Sequence, residues 1–73
     1  MTSEVVRSTM VGSVWRVDVT PGQAVAADER LLALEVMKME IPVEAPRAGR
    51  VVAVHVAQGQ LVEEGQPLVT LGM

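Results

Sequence analysis

Seventy-three residues with a net charge of −3 and no cysteine exclude disulfides and thiolate metal sites and argue against phosphate-backbone binding. A chain of this length buries only about 60% of its unfolded surface. That leaves little room for an invaginated pocket with its own catalytic constellation, and points to a binding or carrier module rather than a self-sufficient enzyme. Apolar residues make up 49%, too many for a disordered chain, and valine dominates them, which favours strands. The sole aromatic is Trp15, so a base-stacking surface is not expected. The opening "MTSEVVRS" lacks the apolar core of a signal peptide. No apolar run approaches the ~20 residues of a membrane span. A cytoplasmic protein is the expectation.

In chain order, Trp15, Val17 and Val19 alternate with Arg16, Asp18 and Thr20. This is the period of a half-buried strand, with Trp15 on the inner face. "TPGQ" reads as a turn with Gly22 free to take positive φ, and "ADER" as a second turn. Leu31 to Val36 and Met39 to Glu44 are two further strands. Pro42, inside the second, places it at a sheet edge or with its missing N–H toward solvent. Between them the chain turns at Met37-Lys38. A two-residue hairpin turn favours Asn-Gly, because both central residues need positive φ. Two long side chains there are poor turn chemistry, and local rules tend to fail at functional sites.

"EAPRAGR" then leads into a second copy of the first half. A shift of 37 residues, the interval from Gly12 to Gly49, lays "VGSVWRVDVTPGQAVAADERLLALE" over "AGRVVAVHVAQGQLVEEGQPLVTLG" without a gap. Gly22-Gln23 falls on Gly59-Gln60, Val25 on Val62, Leu31 on Leu68 and Leu34 on Leu71. Val52, Val54 and Val56 repeat the inner phase, and "AQGQ" and "EGQP" repeat the turns. Gly65 answers Asp28, which tolerates the left-handed region better than most residues. Repeats of this length are one supersecondary unit each. Two units of about four strands predict an all-β fold. It is a flattened barrel or sandwich of two four-stranded antiparallel sheets with internal two-fold pseudosymmetry and little or no helix.

Most polar candidates read as ordinary surface. His55 is the only histidine and cannot build a zinc site alone. Asp28, Glu29, Glu63 and Glu64 sit in turns, without the cleft that paired catalytic carboxylates require. No phosphate loop or nucleophile elbow is present. Lys38, at the join of the two copies, is the remaining candidate.

"EVMKME", Glu35 to Glu40, resembles the acceptor motif of the biotinyl/lipoyl attachment domain family, usually written Glu-Ala-Met-Lys-Met. The upstream "PGQAVAADERLLALE" and the downstream "IPVEAPRAGRVVAVHVAQGQLVEEGQPLVTL" are similar to the rest of the family pattern, so the resemblance runs from Met10 to Leu71. It implies a barrel of residues 1–73 with Lys38 on an exposed hairpin, covalently biotinylated by a biotin protein ligase. Glu35, Val36, Met37 and Met39 are the flanking residues that the ligase reads. It further implies a carrier, not an enzyme, that moves carboxyl groups between biotin carboxylase and carboxyltransferase components. Met37 favours biotin, since lipoyl domains usually carry Asp before the lysine. Lipoate on Lys38, or an unmodified interaction module of the same fold, are the alternatives. Val36 departs from the family's Ala or Ser. No insertion distinguishes the first half from the second, so the protruding thumb of some carrier subunits is not expected. The resemblance is to small stand-alone attachment proteins, and a monomer is expected.

Overall fold

The computed structural model describes residues 2–73, which form eight strands and no helix. In chain order they are β1 (Ser3–Arg7), β2 (Gly12–Val17), β3 (Ala24–Val25), β4 (Arg30–Val36), β5 (Met39–Glu44), β6 (Gly49–Val54), β7 (Leu61–Val62) and β8 (Pro67–Gly72). Two four-stranded antiparallel sheets result, in the orders β1-β8-β6-β3 and β5-β4-β2-β7. The first holds both chain ends and is called the terminal sheet; the second is the hairpin sheet. The expected architecture is the observed one. The molecule measures 36 × 18 × 17 Å.

The repeat holds at the level of single hydrogen bonds. Gly22 N–H donates to Val51 O and Gly59 N–H to Val14 O, each at 2.7 Å. Asp18 N–H donates to Leu31 O and His55 N–H to Leu68 O. The matched glutamines close matched turns: Gln23 Oε1 accepts from Thr20 N–H at 3.3 Å, and Gln60 Oε1 from Ala57 N–H at 3.1 Å. Core positions also come in pairs. Val14 and Val51, Val19 and Val56, Val25 and Val62, Leu31 and Leu68, Leu32 and Val69, and Leu34 and Leu71 are all buried. Each half presents one apolar face, and burying the two faces against each other supplies the main driving force. Among the described residues neither half carries an extra segment that could form a thumb.

β1 was not anticipated. It occupies the place of β5 in the repeat, yet "SEVVR" and "EIPVE" share only a valine in register. Both are edge strands, where packing constrains sequence least. That leaves backbone pairing as the common element. Pro42 is exposed on edge strand β5 and opposes Ala33, the placement its missing N–H demands.

Trp15 corrects the expected alternation. It is 43% exposed, and its counterpart Val52 is 57% exposed, while Val14 and Val51 carry the core positions. The ladder slips between Val14 and Arg16 and again between Val51 and Ala53. A bulge in each copy inserts one residue and resets the phase, so Trp15 and Arg16 both face outward. The Arg16 guanidinium lies 5.3 Å from the Trp15 ring centroid.

Asp28 adopts φ 68°, and Gly65 answers it at 87°. Left-handed backbone strains any residue with a Cβ. Asp28→Gly is therefore expected to raise stability by roughly 0.5–1 kcal/mol in urea unfolding, the smaller figure reflecting the entropy glycine adds to the unfolded chain.

Candidate functional site

β4 and β5 pair from Arg30↔Glu44 up to Val36↔Met39, which leaves Met37 and Lys38 as the whole turn. Both take positive φ, 52° and 67°, the signature of a type I′ hairpin. Neither is glycine, asparagine or aspartate. For a long side chain this region costs ~1–2 kcal/mol per residue, so the tip stores strain that the surrounding strands must hold.

The side chains at the tip face solvent. Met37 is 90% and Met39 62% exposed, and Lys38 is exposed between them. Among the described residues no carboxylate lies within ion-pair distance of the Lys38 ammonium. The methionines are not core. They are unbranched, polarizable and able to adapt to more than one protein surface. Glu35 is also exposed, facing outward between Ser13 and Glu40 in the ladder.

Val36 is different. It is half-buried and packs against the edge of the core. Its Cγ2 lies over Gly12, where an added Cβ would sit 2.8 Å from that methyl and 2.8 Å from Glu35 O. Val36 thus supports the hairpin from within. Val36→Ala is expected to cost about 1 kcal/mol of stability, read as a lowered urea midpoint.

Of the five hairpin positions singled out in the sequence, four are brought together as an exposed surface and Val36 is turned inward. Gly12 was not recognised as part of this site. The available signal was its match to Gly49 outside any turn, since a glycine repeated at a strand start points to close backbone approach. Indeed, a Cβ on Gly49 would meet Gly72 O at 2.7 Å, the equivalent of the Glu35 O contact.

The remaining candidates stay apart. The His55 ring bonds Thr70 Oγ1 at 2.7 Å through Nε2, on the outer face of the terminal sheet. Asp28, Glu29, Glu63 and Glu64 are exposed in turns, and Glu29 Oε1 accepts from Ala26 N–H. The hairpin tip and the chain ends lie at opposite ends of the molecule. Gly12 and Ser13 start β2 beside the tip. The chain then runs along β2 to Val17 and on to Ala24 in β3, which pairs with Arg50, and Arg50 pairs with Gly72.

Comparison with known proteins identifies the family. A family model described as biotin-requiring enzyme matches residues 3–71. The chain belongs to the biotin/lipoyl attachment family. It is 40% identical over 62 residues to the biotin/lipoyl attachment protein of Bacillus subtilis, covering 85% of each chain. It is 44% identical over 70 residues to the human mitochondrial propionyl-CoA carboxylase alpha chain, covering 96% of this chain and 10% of that one. A solved structure of a single-chain, multi-domain long-chain acyl-CoA carboxylase superposes with a TM-score of 0.88 at 37% identity, over 93% of this chain and 7% of that one. The family domain thus occurs both as nearly the whole of a small protein and as a minor part of large carboxylases. In this member of the family, the strained lysine turn is exposed to solvent.

Proposed function

We propose that Lys38 is the site of covalent biotin attachment and that the chain is a carrier of carboxyl groups between the active sites of a biotin-dependent carboxylase. The observation that carries the reading is the tip itself: a lysine in left-handed backbone, solvent-exposed and without an ion pair among the described residues, between two exposed methionines. Family membership and the carboxylase relatives support it. Met37 in place of an aspartate supports biotin over lipoate.

Lys38 is suited to amide formation. Its Nζ must be neutral to attack an activated acyl carbon, and among the described residues no carboxylate lies within ion-pair distance to compete for it. An approaching ligase meets an amine it has only to desolvate and deprotonate. The new C–N bond forms as the activating group leaves, the proton departs with the ligase's base, and the lysine loses its charge. Bound biotin supplies a ring that accepts and gives up a carboxyl group. The chain's own contribution is delivery: a rigid scaffold presents the tethered group at high effective concentration to each enzyme in turn. Val36 packs inward over Gly12, so Val36→Ala is expected to leave the biotinylation rate per folded molecule unchanged.

The test is incubation with a biotin protein ligase, biotin and ATP, followed by a streptavidin gel shift. Wild-type chain shifts completely and Lys38→Arg does not. A shift that survives Lys38→Arg overturns the site.

A further inference from the structure

Ion pairing separates the five arginines of the chain into two groups. Asp18 holds Arg16 at 2.8 Å and Arg30 at 2.9 Å, Arg30 also reaches Glu40 at 3.2 Å, and Arg47 meets Glu4 at 2.9 Å. Arg7 and Arg50 have no carboxylate within ion-pair distance among the described residues. Both stand on the outer face of the terminal sheet, Arg7 on edge strand β1 and Arg50 on β6. His55, directly after β6, shares that face. The only acid in the four strands of this sheet is Glu4, which turns to Arg47. The strands of the hairpin sheet carry Glu35, Glu40 and Glu44. Glu63 and Glu64, in the turn before β8, are exposed and make no ion pair with Arg7. A chain of net charge −3 thus presents one cationic face.

The face is also concave. Val5, Arg7, His55, Gln66, Pro67 and Thr70 line a cleft of about 390 Å³. At the matching place on the hairpin sheet, Asp18 stands for His55 and Arg30 for Pro67, and those two side chains are joined by their ion pair. On the terminal sheet Pro67 has no polar group to bridge with, and His55 Nε2 bonds Thr70 Oγ1 at 2.7 Å instead. The two free guanidiniums are each held by one backbone carbonyl. Arg7 Nη1 donates to Gly65 O at 2.9 Å, and Arg50 Nη1 to Gly22 O at 2.6 Å. Each keeps its remaining N–H donors for a partner, and a side chain already fixed loses less entropy on binding.

We propose that the outer face of the terminal sheet is a docking site for an acidic segment of a partner protein. One carboxylate enters the cleft, bonds Arg7 and lays its methylenes on Val5 and Pro67. Another meets Arg50. Arg50 pairs with Gly72 and Gly72 with Ser3, so Arg50 lies two strands and four residues from Arg7, roughly 16 Å between Cα atoms at strand spacings. A single carboxylate cannot span that distance, which is why the occupant is a segment with several acids rather than a small anion. The site lies on the sheet without the hairpin, and its charge does not depend on what Lys38 carries. Complementary charge of this kind selects a partner and speeds its encounter.

The test is a titration of the 15N-labelled chain with a capped hexaglutamate peptide at low salt. The expected amide shifts cluster at Val5, Arg7, His55, Thr70 and Arg50, and shrink as salt is added. Arg7→Gln with Arg50→Gln, both exposed, is expected to raise Kd roughly tenfold. Arg16→Gln with Arg47→Gln makes the same change in net charge and is expected to leave Kd within about twofold, as is Lys38→Arg. Shifts centred on the hairpin sheet overturn the proposal. So does an equal loss in both double variants, which would make the binding a matter of net charge alone. Inorganic phosphate that produces the same shifts at the same concentration overturns it too, because the face would then be a general anion site.

Discussion

Replacing Met37-Lys38 with Asn-Gly is expected to stabilise the fold by about 2 kcal/mol while abolishing covalent modification. The turn already has the backbone of a type I′ hairpin, with φ 52° and 67°. The substitution therefore changes no strand, no register and no core contact. It removes only the cost of holding two long side chains in left-handed backbone. A chain of this size has a total stability of about 4–11 kcal/mol, so the change is a visible fraction of it. Urea unfolding reads the gain as a higher midpoint with the same slope. An unchanged midpoint would mean that the flanking strands do not bear the strain. The experiment also bears on function: a tip that is less stable than it could be, at the residues that carry the chemistry, is where stability has yielded to activity.

Gly12→Ala carries the second large effect. The added Cβ would lie 2.8 Å from Glu35 O and from Val36 Cγ2. The valine methyl has some freedom to move, but the carbonyl belongs to the paired ladder between β2 and β4. Relief requires separating the strands at the base of the hairpin, a cost of about 1–3 kcal/mol. Gly49→Ala makes the equivalent clash with Gly72 O at 2.7 Å and is expected to cost a similar amount. The two variants part on function. Gly12→Ala displaces the strand that ends in the tip, so the biotinylation rate falls; Gly49→Ala distorts the opposite end and leaves the rate per folded molecule unaltered. Equal rates in both variants would show that the hairpin base does not position the lysine.

The repeat was legible because it is written in the positions that fix a backbone: the glycines of matched turns, the glutamines that close them, and the paired valines and leucines of the core. The hairpin tip was legible by contradiction, as turn geometry without turn residues. What escaped followed from physical causes. Trp15 faces solvent because a bulge, invisible in period-two reasoning, resets the strand phase, and Val52 shows the same slip in the second copy. β1 escaped because an edge strand is held by backbone pairing, which any sequence supplies. Gly12 escaped because its reason is a carbonyl on a neighbouring strand, a contact made only after folding. Val36 stood out as the one residue of the motif that did not fit, and its inward packing over Gly12 gives it a structural role.

The central claim is that Lys38 carries biotin. Its most direct test is the intact mass of the chain produced in a host that contains both biotin and lipoate ligases, with peptide mapping of the product. The expected result is the mass of one biotinyl group, located on Lys38 and lost in Lys38→Arg. A lipoyl mass, no added mass, or a biotinyl mass on any other residue would contradict it.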